Sequence, residues 1–364
     1  MTGPQSDPAP GPIRAGWRRF PATQTSVGGA LYVPPRRGLA ALPGMGARRL
    51  KLVVALHGCG QTAGDFAIGT GFAALAAEKG FAVLFPETRR TAETVTLNPF
   101  GCWVWWSSAN QSRDGEAAQI VALVDRALAA EPRLARRRVC VTGLSSGAAM
   151  ATILGAVYPD RVAAVAAHAG VAFSAAEVEQ PRLPNWFAGA VDPVTTLSAF
   201  TPLNLMNLAR WGRSSLQALE KAGPAEAGQA ARIVATRREA LAQESRVAVM
   251  AVHGEADAVV DPAHARQLVL QALQVADILD TDADDSAVRA VATLRQESRG
   301  GRGDYPMIRR DFHDKAGRFV ARRISIGKLG HAWSGGSPAG SFTDPLGPDA
   351  TRLTWEFFRD HGDL

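Results

Sequence analysis

Cysteine is scarce, with three in 364 residues, too few for a disulfide-built scaffold. No run of eighteen or more apolar residues occurs, which excludes a transmembrane helix. The first sixteen residues, rich in Pro, Gly and polar side chains, read as a flexible segment without the apolar stretch of a signal peptide. Arg18-Arg19 is a twin arginine, but Phe20-Pro21-Ala22-Thr23-Gln24 follows where an export signal needs a hydrophobic run. Localisation is therefore left open between a protein retained in the cell and one that has lost its leader. Zinc-ligand spacing, a phosphate loop and a dinucleotide fingerprint are all missing, so no metal and no cofactor is expected. Internal repeats are missing too, which sets solenoids and propellers aside.

What is present is an apolar chain, 46% hydrophobic and 20% charged, able to bury a sizeable core. The net charge is +6, carried mostly by arginine. Its clusters (Arg136-Arg137-Arg138, Arg309-Arg310, Arg322-Arg323) flank apparent strands and are not interleaved with aromatics. They read as solvated faces rather than a nucleic-acid surface.

Short apolar runs at Leu50–Leu56, Phe81–Phe85, Arg138–Thr142, Val162–Ala167, Val247–Val252 and Phe319–Ile326 have the length and continuity of buried parallel strands. Helical spacing falls between them, at 65–79, 114–130, 146–158, 262–273 and 349–361. This alternation predicts a mostly parallel sheet covered on both faces, with every strand-to-helix loop on one edge. One catalytic domain over 17–364 is expected, interrupted by a proline-rich insertion at 173–244 that reads as a cap or lid. The acidic stretch 277–285 reads as a surface excursion.

Gly143-Leu144-Ser145-Ser146-Gly147 follows an apolar strand and opens a small-residue helix, the setting of a nucleophile elbow. Together with the strand pattern, it predicts an α/β-hydrolase fold with Ser145 as nucleophile. In that fold the acid and then the histidine follow in the chain. Of seven histidines, His331 lies on a glycine-flanked loop after the last strand and is the expected base; His313 and His361 read as structural. The loop after Val247–Val252 offers Glu255, Asp257 and Asp261. Asp257 is preferred, since Val259-Val260 can anchor it, while Asp261 suits the cap of the helix at Pro262. Two backbone N–H groups should stabilise the oxyanion: Ser146, next to the nucleophile, and Cys59, in the glycine-rich loop His57-Gly58-Cys59-Gly60. His57 reads mainly as a brace of that loop. Trp103 and Trp333 are candidates for the substrate groove, with Trp105 and Trp106 behind them. Cys140 reads as a core thiol, whereas Cys59 and Cys102 fall in loops near the site, where a bridge is possible.

The strings Val54-Ala55-Leu56-His57-Gly58-Cys59-Gly60-Gln61-Thr62, Gly101-Cys102-Trp103, Val141 to Met150 and Gly330-His331-Ala332-Trp333-Ser334-Gly335-Gly336 resemble the poly(3-hydroxybutyrate) depolymerase-like esterases. That group includes feruloyl and acetyl xylan esterases. The resemblance implies Ser145, Asp257 and His331 as triad and the His57-Gly58-Cys59 loop as oxyanion hole; His57, Trp103 and Trp333 are the residues expected on the substrate side. It also implies a Cys59–Cys102 pairing and a secreted or periplasmic setting. The expected activity is hydrolysis of short-chain hydroxyalkanoate esters, with feruloyl or acetyl xylan esters as the alternative and a non-catalytic binding protein as a distant one. The expected partner is an ester substrate, with neither nucleic acid nor membrane; oligomeric state is not legible.

Overall fold

A computed structural model of the chain describes residues 16–35, 49–89, 98, 100–173, 246–278, 293–302, 305–314 and 316–362. The fully apolar runs lie at its centre. β3 (Leu52–Leu56), β5 (Val139–Leu144) and β6 (Val162–His168) are buried along their whole lengths. They pair in parallel with one another, and β3 continues to β4 (Ala82–Glu87) and β6 to β7 (Ala248–Gly254). β7 in turn pairs in parallel with β10 (Phe319–Ile326).

Antiparallel strands finish both edges. β1 (Trp17–Phe20) and β2 (Gly28–Tyr32) add beside β4, while β9 (Tyr305–His313) and β8 (Thr293–Arg302) add beside β10. Among the described residues this gives one ten-stranded sheet, ordered β1-β2-β4-β3-β5-β6-β7-β10-β9-β8. The four edge strands were not read from sequence. The twin arginine turns out to be the exposed middle of β1.

Helices cover both faces. α1 (Ala63–Thr70), α2 (Phe72–Lys79) and α6 (Ala350–His361) bury Phe66, Phe72, Phe357 and Phe358 in one apolar layer. On the other face, α3 (Gly115–Ala130) and α4 (Ser146–Val157) bury Ile120, Leu123, Ile153 and Leu154, while α5 (Ala263–Ile278) packs Leu268, Val269 and Leu273 beside them. The one helix expected over 65–79 is two, because Gly71 adopts φ 68° and ends α1 with a left-handed residue. α5 runs on to Ile278, so Asp277 is helical rather than part of a surface excursion. The rest of that acidic stretch, the insertion 174–244 and residues 1–15 lie outside the described residues. No helix among the described residues is long and apolar enough to cross a membrane.

Candidate active site

The C-terminal ends of the parallel strands bring three loops together. At the end of β5 the chain turns so sharply into α4 that Ser145 takes φ 56° and ψ −119°, a conformation L-residues adopt only where surroundings enforce it. The Ser145 N–H donates to the His168 carbonyl at the end of β6 (3.0 Å), tying the turn to the sheet. Two glycines make the turn possible. A Cβ on Gly143 would lie 2.4 Å from the Gly147 carbonyl carbon, and one on Gly147 would lie 2.3 Å from the Leu56 carbonyl oxygen. As the first residue of α4, Ser146 has no earlier carbonyl within its helix to bond, so its N–H is available at the positive helix end.

The loop after β7 is stitched to the loop after β10. Glu255 N–H donates to Ile326 O (2.9 Å) and Ala256 N–H to Leu329 O (3.1 Å). This places Asp257 Oδ2 2.8 Å from His331 Nδ1. Asp257 Oδ1 accepts from the N–H groups of Val259 (2.9 Å) and Val260 (3.0 Å), and His253 Nε2 lies 3.2 Å from Oδ2. Burial opposes ionisation of this carboxyl, but hydrogen bonds from His253 and His331 outweigh it and hold it well below the usual carboxylate range. Of the three acids the sequence offered, Asp257 thus meets His331, while Asp261 Oδ1 caps α5 by accepting from Ala263 N–H (2.8 Å).

The third loop follows β3. Gly58 N–H donates to Gln61 Oε1 (2.9 Å) and Gly60 N–H to Phe100 O (2.7 Å). Between them, Cys59 N–H makes no hydrogen bond among the described residues. Gly58 abuts Ser145, since a Cβ there would sit 3.5 Å from Ser145 Cβ. A disulfide joins Cys59 to Cys102, so the loop is covalently held to the segment that carries Trp103.

The residues matching a family model described as esterase PHB depolymerase are 29–201, the span that holds the oxyanion-type loop and the Ser145 elbow. Over that span the chain is similar to that family. Among similar curated proteins, poly(3-hydroxyalkanoate) depolymerase C of Paucimonas lemoignei is 39% identical over 120 residues, covering 33% of this chain and 27% of that protein. A probable acetylxylan esterase A of Aspergillus clavatus is 32% identical over 154 residues, 42% of this chain and 44% of that one. Feruloyl esterase B of Neurospora crassa is 34% identical over 159 residues, with 42% and 48% covered. The matches thus span less than half the length of these curated relatives. An acetyl xylan esterase structure from Aspergillus awamori shares the fold, with a TM-score of 0.54 at 19% identity over 86% of this chain and 93% of that one. Asp257 and His331 fall beyond the matched span, so their place in the candidate site rests on the geometry above.

The substrate-side expectation needs correction. His57, Trp103 and Trp333 are completely buried, and their polar atoms are occupied. Trp103 Nε1 donates to His57 O (3.0 Å), and His57 Nδ1 donates to Gly58 O (2.9 Å). Trp333 Nε1 donates to Thr351 Oγ1 (2.9 Å), and its ring lies 4.0 Å from that of His168 and edge-on to Phe66. These side chains brace the oxyanion-type loop and the His331 loop from beneath; none forms a wall a substrate could touch. Nearness in sequence to His331 misled here, because the chain turns between the two residues, with Ala332 N–H bonded back to Gly330 O (3.0 Å).

Residues the sequence did not single out stand closer to the opening. Gln61 Nε2 donates to Asp65 Oδ2 (3.0 Å) and Ser341 O (2.9 Å), while Asp65 Oδ1 accepts from Ser341 N–H (3.0 Å). The next residue, Phe342, has φ 51° and is 43% exposed. Its Cε2 lies 3.7 Å from where a Cβ on Gly60 would be. An exposed aromatic in a left-handed conformation beside the oxyanion-type loop is a candidate substrate contact. No sequence signal marks it.

Proposed function

We propose that this chain is a serine carboxylesterase that hydrolyses short-chain hydroxyalkanoate esters through an acyl-enzyme. The observation that carries the reading is the His331 Nδ1–Asp257 Oδ2 hydrogen bond, on the same sheet edge as the Ser145 elbow. Ser145 Oγ attacks the ester carbonyl as His331 takes its proton, and Asp257 holds the imidazole tautomer and balances the imidazolium. The N–H groups of Cys59 and Ser146 receive the oxyanion. The carbonyl–alkoxy bond then breaks, His331 protonates the departing alcohol, and water repeats the sequence to release the acid and restore Ser145. The exposed ring of Phe342 supports an ester with an apolar group beside the oxyanion loop. The disulfide supports an oxidising compartment such as the periplasm or the exterior.

A second reading, a feruloyl or acetyl xylan esterase, is supported by the similar proteins that bear those names. Release of 3-hydroxybutyrate from amorphous poly(3-hydroxybutyrate) tests between them, run beside methyl ferulate and acetylated xylan. In each assay Ser145→Ala should lower turnover by about three to six orders of magnitude. Serine-dependent release from the polyester supports the first reading, and preference for the plant-wall esters supports the second. A Ser145→Ala variant with near wild-type turnover on p-nitrophenyl butyrate overturns both.

A further inference from the structure

The carboxylate of Asp257 is shared between two histidines. His331 Nδ1 reaches Oδ2 from the loop after β10 at 2.8 Å, and His253 Nε2 reaches the same oxygen from the end of β7 at 3.2 Å. His253 Nε2 also lies 2.9 Å from the Val260 carbonyl oxygen. Both neighbours of that nitrogen are acceptors, and neither carries a hydrogen while Asp257 is ionised. The proton of a neutral His253 therefore resides on Nε2, shared between the carbonyl and the carboxylate.

We propose that His253 is a positioning residue for the triad: a neutral Nε2–H donor that fixes the Asp257 carboxylate and moderates its pull on His331. The inference rests on the esterase reading above. With His253, Asp257 receives four N–H donors, two on each oxygen. The carboxylate then has no free rotation, and one of its four donors, His253, stands on a strand rather than in a loop. Its paired neighbour strand β10 delivers His331, so acid and base are referred to the same two strands. The second effect is electrostatic. A hydrogen bond from His253 spreads part of the Oδ2 charge, and without it the carboxylate pairs more strongly with the imidazolium of His331.

Two other buried histidines lie near His253. His168 on β6 and His264 on α5 are both buried within range of its field, and Asp261 acts on His264 from the other side. Burial, followed by the nearness of His253, pushes His168 down to about 3 and His264 down to about 4.

Two substitutions separate positioning from packing. The side-chain amide of His253→Gln extends to the place of Nε2, whereas that of His253→Asn stops near Nδ1, short of Asp257. With p-nitrophenyl butyrate as substrate, His253→Asn should lose about tenfold to a hundredfold in kcat with KM little changed. The acid limb of its kcat/KM profile should move to higher pH. His253→Gln should keep the wild-type limb and most of kcat. Equal behaviour of the two variants overturns the proposal, whether both match wild type or both fall with the limb unmoved. Nitrogen NMR of the wild-type protein, labelled at histidine, gives a reading that no variant's folding can obscure. It should find His253 as the Nε2–H tautomer near neutral pH, and an Nδ1–H tautomer overturns the proposal. Failure of Ser145 to react with a fluorophosphonate would instead remove the esterase reading, leaving the tautomer of His253 measurable on its own.

Discussion

At the scale of single residues, the chemistry of this chain is legible where it depends on order along the chain and hidden where it depends on facing. The sharp turn at Ser145 and the meeting of Asp257 with His331 were readable because a strand must precede each loop, and glycines mark the turns. His253 was not, because its meeting with Asp257 depends on how the loop after β7 folds back on the strand's last turn. Trp103 and Trp333 were read on the wrong side for the same reason, while Phe342 carried no signal at all. Exchanging Phe342 for Ala should lower kcat/KM on p-nitrophenyl butyrate by about threefold to tenfold, the worth of one partly buried apolar contact. The loss should appear in KM, and the melting temperature should stay unchanged. A fall confined to kcat would place the ring away from the substrate.

At the scale of elements, the central strands announce themselves because a strand buried on both faces can be apolar throughout. The antiparallel edges do not, since charged residues interrupt their apolar ones, as in Trp17-Arg18-Arg19-Phe20. β9 and β10 go further and bury charge between them. Arg322, buried on β10, forms two bonds with Asp311 on β9, Nε to Oδ1 at 2.7 Å and a terminal nitrogen to Oδ2 at 2.8 Å. Arg309 bonds the same carboxylate from the side. Such a pair adds little net stability while intact, but removing one partner strands a buried charge. Asp311→Asn should therefore destabilise the fold by about 3 kcal/mol or more, measured by urea denaturation. A variant within 0.5 kcal/mol of wild type, roughly the error of such measurements, would mean that water reaches Arg322.

At the scale of the whole molecule, the buried histidines set how the fold responds to acid. His168 and His264 are held down at about 3 and about 4, chiefly by burial. Both nitrogens of His264 lack hydrogen-bond partners among the described residues. Below the ordinary histidine value near 6.5, the unfolded chain takes up protons that the folded one refuses. Stability should thus fall as pH drops from about 6.5 toward 4, and this loss should level off once the folded protein protonates as well. Asp311 acts in the same direction but at lower pH. Burial raises it, the bonds from Arg322 and Arg309 outweigh that, and the carboxyl sits at about 2. Its contribution is present above the carboxylate range and is lost only as pH falls toward 2. Melting temperatures at pH 7.5, 5.5 and 4 should therefore decline well before carboxylates titrate, and His264→Leu should flatten that decline.

The Cys59–Cys102 bond encloses a loop with a sequence separation of 43, for which chain entropy alone gives about 4 kcal/mol. Reduction should lower stability on that scale, read as a shift of the urea midpoint with and without dithiothreitol. It also reaches the chemistry, because one of the two bonded cysteines supplies the backbone N–H proposed to receive the oxyanion. A freshly made, reduced chain would carry its nucleophile and base in place but only half of its electrostatic catalyst. It would resemble a zymogen whose activating cut has been replaced by an oxidation. In graded thiol–disulfide buffers, hydrolysis should follow closure of this one bridge while fluorophosphonate still finds Ser145, so that the cell's own redox boundary decides where the enzyme is switched on.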